Sequence, residues 1–278
     1  MIVDAHHHVW DPATADYPWL TVDLAAIRRR FTPDDLAPEL AATGIEATVL
    51  VQTRASREET AEFLALAAAT PFIRGVVGWV DLTDPGVAEA IEALRAGPGG
   101  DRLVGVRHQV HDEPDPDWLL RDDIVRGIAA VGAAGLTYDL LVRARELPAA
   151  AELASRLPGA RFVIDHLAKP PIATGELEPW KGGLAAFAEL PNVACKMSGL
   201  VTEADWSSWT AAHLQPYVDH AIDVFGPDRL MFGSDWPVCL LAATYEEVVE
   251  SALTTLGALD VVEQAAVMGG NATRIYGL

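Results

Sequence analysis

The sequence predicts a single-domain (β/α)8 barrel spanning residues 1–278, on three observations. Eight apolar runs of strand length recur along the chain. Helical segments with recognisable caps separate them. The runs end repeatedly in polar side chains, as strands do where their tips surround a shared mouth. An open doubly wound sheet would instead need a glycine-rich phosphate turn after the first strand. His6-His7-His8-Val9-Trp10 is nothing of the kind.

The first run, Ile2–His8, is apolar at its start and polar at its end. Side chains alternate along a strand, so His6 and His8 should share one face and His7 the other. A stray purification tag would also supply histidines, but not inside a strand pattern. The segment Asp11–Phe31 is long for a βα loop and carries Tyr17, Pro18 and Trp19. Such loops on the catalytic face shape binding sites. Thr32 with Pro33 then opens the first helix, which Gly44 closes in the left-handed position. Ala47–Thr53 is the second strand. Ser56 and Glu59 match a capping box before the helical body Glu58–Ala69. Ile73–Val80 follows, then a helix opened by Asp84-Pro85. Leu103–His108 leads to the amphipathic Ile124–Ala134, and Leu136–Val142 to Pro148–Leu157. Arg161–His166 and Asn192–Met197 are the sixth and seventh strands. Arg229–Ser234 is the eighth, with a second capping box at Thr244–Glu247 after it.

Composition narrows the function. Formal net charge is -20, from 40 acidic and 20 basic residues, a field that repels nucleic acid and anionic membranes. No apolar stretch reaches the ~18 residues of a membrane span. Cys195 and Cys239 are too few for a disulfide framework, and the N-terminus lacks a basic region followed by an apolar run. The expectation is a cytoplasmic protein acting on a small molecule. No feature specifies an oligomeric state.

Chemistry should collect at the strand tips. Strand one offers His6 and His8, and strand two Gln52 and Arg54. Strand four offers Arg107 and Gln109, with His108 and His111 beside them. Tyr138 and Asp139 end strand five, while Asp165, His166 and Lys169 follow strand six. Lys196 and Ser198 end strand seven, and strand eight runs into Asp235, Trp236 and Pro237. Two imidazoles on one strand face can hold a divalent metal or polarise a carbonyl. Buried charges cost several kcal/mol unless paired or used, so so many polar tips are poorly explained by stability alone.

Taken together, Asp4-Ala5-His6-His7-His8-Val9-Trp10, Gly105-Val106-Arg107-His108, Asp165-His166-Leu167-Ala168-Lys169-Pro170, Lys196-Met197-Ser198-Gly199 and Phe232-Gly233-Ser234-Asp235-Trp236-Pro237 resemble the amidohydrolase superfamily. Within it they are similar to the amidohydrolase-related branch of sugar-lactone lactonases (the L-fuconolactone and L-rhamnonolactone type) and 2-pyrone-4,6-dicarboxylate lactonases. The likeness runs from the first strand to the last. It implies a catalytic set of His6, His8, His166 and Asp235, with Asp235 as general base. Asp235 could otherwise be an ion-pair partner of Lys196 or Arg107. Arg107, Lys196, Gln109 and Arg54 read as substrate handles, although Arg107 and Lys196 could equally neutralise acids around the mouth. Trp10, Trp19, Trp236 and Tyr138 read as ring-stacking or rim residues.

The chain departs from binuclear members of the superfamily. Its fifth strand, Leu136–Leu141, has neither the carboxylated lysine nor the histidine that a second metal needs. At most one divalent metal, such as zinc, could be held by His6, His8, His166 and Asp235. A lactone is a reactive ester, so hydrolysis without an obligatory metal is the expectation. The resulting reading is a hydrolase that opens a small sugar aldonolactone. A metal-dependent decarboxylase of an aromatic acid on the same barrel, and a non-catalytic metabolite binder, are the rivals.

Overall fold

A computed structural model describes all residues, 1–278. Its strands are β1 Val3–His7, β2 Ala47–Val51, β3 Ile73–Gly78, β4 Leu103–His108, β5 Thr137–Leu140, β6 Arg161–Ile164, β7 Val193–Met197 and β8 Leu230–Phe232. They lie in one eight-stranded sheet in sequence order. Every neighbouring pair is parallel. The ring closes just beyond β8, where His8 N donates to Trp236 O at 2.7 Å and Asp235 N to His6 O at 2.8 Å. The predicted (β/α)8 barrel is therefore the observed fold.

Two apolar layers hold it. Inside the barrel, Val3, Ala5, Val49, Val77, Val163, Ala194 and Met231 pack together in the amino-terminal half. Outside, a cluster of 68 buried residues joins the strands to the surrounding helices. The last helix, Asn271–Tyr276, closes the bottom, and Tyr276 Oη donates to Asp139 Oδ2 at 2.6 Å.

Of the helix starts expected from capping residues, two follow that chemistry and two depart from it. Thr32 and Asp35 form a reciprocal box before the helix Pro33–Thr43, and Gly44 ends that helix at φ 73°. Thr244 and Glu247 form another before Tyr245–Thr255. At Arg57–Ala69, Ser56 accepts the Glu59 amide, but the Glu59 carboxylate turns away. It accepts the amides of Thr53 and Arg54 and pairs with the Arg54 guanidinium instead. The helix expected at Asp84-Pro85 begins at Val87, after Asp84 has accepted the Gly86 amide in a turn.

Several strands are shorter than their apolar runs. β5, β6 and β8 stop two or more residues early, at Leu140, Ile164 and Phe232. The polar residues that follow lie where the backbone has left the ladder. β1 is also irregular. Its pairing with β2 runs Val3 to Ala47 and Asp4 to Thr48, then His7 to Leu50, so β1 carries one extra residue. The loop Asp11–Phe31 is pinned at its ends by a two-way backbone bridge between Trp10 and Phe31.

Candidate active site

The mouth of the barrel is a cavity of about 440 Å³. His8, Arg107, Gln109, His166, Asp235 and Trp19, six of the residues expected from the sequence, line it. At its floor three imidazoles surround one carboxylate. Asp235 Oδ1 lies 3.4 Å from His8 Nε2, 3.8 Å from His6 Nε2 and 3.9 Å from His166 Nε2. His6 Nε2 and His8 Nε2 are 3.2 Å apart.

The other ring nitrogens are occupied. His8 Nδ1 donates to Val51 O at 2.8 Å, His166 Nδ1 meets Ser198 Oγ at 2.8 Å, and His6 Nδ1 faces Asp165 Oδ1 at 3.3 Å. These second contacts orient the three rings with Nε2 towards Asp235 Oδ1. Burial pulls the His166 pKa down to about 4, and burial likewise carries His6 well below its ordinary value. Both rings are therefore neutral near pH 7, as a metal ligand must be. Burial opposes the charge on Asp235, but His166, the adjacent His8 and His6 outweigh it and hold the carboxyl below its usual range.

A three-nitrogen, one-carboxylate set suits Zn²⁺, whose bonds of about 2.1 Å place tetrahedral ligands roughly 3.4 Å apart. The three distances to Asp235 Oδ1 and the one between His6 and His8, 3.2 to 3.9 Å, lie near that spacing. His6, His8 and Asp235 form one candidate ligand group, and His6, Asp165 and His166 a second that shares only His6 with it.

Arg107 and Lys196 are engaged elsewhere. Arg107 donates to Gln52 O and Oε1 and to Asp165 Oδ2, and approaches His6 Nε2 at 3.3 Å. These contacts use all five of its N–H groups. Lys196 is fully buried, with Nζ 2.7 Å from Asp139 Oδ2, 2.9 Å from Asp165 Oδ1 and 3.3 Å from His6 Nδ1. Both cations are committed to buried carboxylates and Lys196 does not line the cavity, so the geometry favours charge neutralisation over substrate capture. The alternative of a salt bridge from Asp235 to either cation does not form.

The remaining expected residues lie off the cavity. Trp10 donates Nε1 to Ile27 O and packs edge-on against Trp19 and Phe31. Trp236 is buried against Phe31. Arg54 pairs with Glu59 and lies over the Tyr17 ring. Tyr138 is buried on the helix side of β5, edge-on to Phe162, because its neighbour Asp139 takes the inward face. A substrate contact from Tyr138 is thus corrected to a core role by strand parity.

The cavity wall also holds Arg143, Asp112, Glu203 and Trp206, which strand-tip reasoning did not name, beside His111 and Lys169, which it did. Arg143 stands there with a side chain free of hydrogen-bond partners, and Asp112 pairs with His111 across 3.2 Å. Lys169 and Glu203 form an ion pair of 2.9 Å, and Trp206 lies beside them. Arg143 follows Val142, the last residue of the apolar run that contains β5, so a polar residue ending an apolar run is the available signal. Leu24, Val238 and Leu241 make the opposite, apolar wall, where two short helical turns, Val22–Ile27 and Val238–Leu241, pack together.

The backbone that presents His166 is unusual. Four successive non-glycine residues, His166 to Lys169, have φ between 49° and 59°. Asp235 also has φ 58°. Left-handed backbone costs an L-residue roughly 1–2 kcal/mol, so surrounding contacts must hold these turns. Trp180 Nε1 donates to Leu167 O at 2.6 Å and Lys169 N to His166 O at 2.8 Å. Gly199 is required where it stands. At φ 63°, a Cβ there would lie 2.8 Å from His166 Nδ1 and 3.1 Å from Asp235 Oδ2.

A parallel barrel with His-x-His at the end of its first strand, a histidine after its sixth and an aspartate after its eighth is the arrangement of an amidohydrolase-type enzyme. Residues 3–278 match the family model described as amidohydrolase, and the chain belongs to that family. It is 42% identical over 287 residues to an L-fucono-1,5-lactonase of Burkholderia multivorans, covering 99% of this chain and 96% of that one. A crystal structure of an amidohydrolase from Burkholderia multivorans with bound zinc superposes with a TM-score of 0.93 at 41% identity, covering 100% and 99% of the two chains. A 5-carboxyvanillate decarboxylase of Sphingomonas paucimobilis shares the fold alone, at 15% identity and a TM-score of 0.66 over 100% and 99% of the chains.

Proposed function

We propose that this protein hydrolyses the ring ester of a sugar aldonolactone of the L-fuconolactone type, and that His6, His8, His166 and Asp235 hold one Zn²⁺ while it does so. The observation that carries the reading is the convergence of three imidazole Nε2 atoms on one carboxylate at the floor of an open cavity. The 42% identity to an L-fucono-1,5-lactonase supports the substrate class. The likeness to a zinc-bound barrel supports the metal.

Bound there, a divalent cation supplies Lewis-acid polarisation of the lactone carbonyl. Asp235 accepts the proton of the attacking water and returns it to the ring oxygen as the C–O bond breaks, leaving a hydroxy acid. Gln109 and Arg143 retain free donors and face the ring hydroxyls, while Leu24, Val238 and Leu241 receive an apolar edge. Arg107 and Lys196 keep Asp165 ionised. Burial alone would push that carboxyl up, yet Lys196, His6 and Arg107 carry it well below its ordinary value, so it remains an acceptor for His6. The decarboxylase reading has a likeness of fold only in its favour. Buried free cysteines at 195 and 239 and the absence of a helix long and apolar enough to cross a membrane favour a cytoplasmic setting.

The test is acid release from a panel of aldonolactones, followed with a pH indicator. L-Fucono-lactone should be turned over, a chelator should suppress the rate, and added zinc should restore it. Asp235→Asn should lower kcat by about 10²- to 10⁴-fold, the usual range for a lost general base. Silence towards every aldonolactone would reject the lactonase reading. Full activity after exhaustive metal removal would reject the zinc.

A further inference from the structure

Asp4 takes no part in the cavity, yet four hydrogen bonds converge on its buried carboxylate. His6 N donates to Oδ1 at 3.1 Å and Ser234 N to Oδ1 at 2.8 Å. Ser234 Oγ donates to Oδ2 at 2.6 Å and Tyr245 Oη to Oδ2 at 3.0 Å. Three of the donors come from the strand that carries His6 and the turn that carries Asp235. The fourth comes from the outer helix Tyr245–Thr255.

The facing of β1 makes this carboxylate consequential. Val3 and Ala5 pack with the side chains that fill the barrel, and Asp4 points outward to Tyr245. Continued alternation would send His7 inward and turn His6 and His8 out among the helices. The extra residue between Asp4 and His7 prevents that, placing Ala5 and His6 both on the inner side. The His6 amide released by this bulge is the one that Asp4 Oδ1 accepts. On the other side of the seam, Ser234 is held by the same carboxylate, and Asp235 N donates to His6 O at 2.8 Å. Asp235 is thereby fixed in its left-handed conformation. Space is tight as well: a Cβ on Gly233 would lie 2.7 Å from His6 Cβ.

We infer that Asp4 is a positioning residue for the reaction, its carboxylate pinning the β1 bulge to the β8 turn so that His6 and Asp235 face one another across the barrel seam. This role rests on the lactonase reading for its kinetic readout but not for its structural one. Asp4 touches neither the substrate cavity nor the reacting atoms. It acts through two backbones. An amide in its place keeps the size but presents an NH2 group to a cluster of four donors, so one side of the seam must move.

The deciding experiment combines kinetics and crystallography of Asp4→Asn and Ser234→Ala beside the wild-type enzyme. Asp4→Asn should lower kcat on L-fucono-lactone by about 10- to 100-fold, the range seen for lost outer-shell partners. KM should stay within about threefold, because the walls of the cavity are untouched. Ser234→Ala, which removes only the Oγ donor, should lower kcat by a smaller factor and covers the case in which Asp4→Asn does not fold. The crystal structure of either variant should show the separation between His6 and Asp235, 3.8 Å in the parent, displaced. Folded variants with parental kcat, or an unchanged seam in the variant crystal structures, would overturn the assignment. If the parent enzyme opens no lactone at all, the reading of function fails while the crystal structures still decide the role of Asp4.

Discussion

Lys196 sits fully buried between Asp139 and Asp165, its ammonium 2.7 Å and 2.9 Å from their oxygens. A side chain of this kind stabilises by what its absence would expose. Lys196→Met should cost about 3–5 kcal/mol in urea unfolding, because two buried carboxylates would lose their shared counter-charge. Its sequence position at a strand tip was readable, and so were His6, His8, His166 and Asp235. What each tip does was not readable. Arg107 and Lys196 look like substrate handles until every N–H is assigned a partner, and that assignment needs coordinates. Tyr138 and Asp139 must face opposite sides of β5, but nothing in the residues themselves says which one faces in. Arg143 is not legible as a strand-tip residue, because the run Leu136–Val142 extends past β5, which ends at Leu140.

At the scale of elements, the eight strands and most helix caps could be read from apolar period and capping residues, since both report local physics. The exceptions are places where tertiary contacts overrule a local rule. Glu59 abandons its capping box because the amides of Thr53 and Arg54 have no other partner there. The bulge in β1 and the left-handed turn from His166 to Lys169 have no propensity signal, since none of these residues is glycine or asparagine. Strain in that turn can be measured. Ala168, at φ 59°, is the position where glycine relieves most at least loss of contact. Ala168→Gly should raise the unfolding free energy by about 0.5–1 kcal/mol, read as an increase in Tm, with kcat held within about twofold.

At the scale of the whole molecule, the buried imidazoles set the response to acid. Neither ring nitrogen of His7 has a partner, and burial, followed by the charge of His8, pulls its pKa down to about 3. The unfolded chain would take up this proton near pH 6.5. Proton uptake therefore favours unfolding: the contribution is whole above pH 6.5 and is lost as the pH falls towards 3. By pH 5 His7 alone should cost roughly 2 kcal/mol. Urea midpoints of the metal-free protein at pH 7.5 and pH 5 should show this decline, and His7→Leu should shrink it.

The seam of the barrel joins residues some 230 positions apart, with Ser234 bonded to Asp4. A chain still emerging from the ribosome thus has its first two imidazoles long before it has the carboxylate they face. Until the eighth strand arrives, those histidines lie on an unclosed sheet edge, and the cup that would capture a cation does not exist. Synthesis of the final fifth of the polypeptide is what switches the enzyme on, and a prematurely terminated product would be inert rather than partly active.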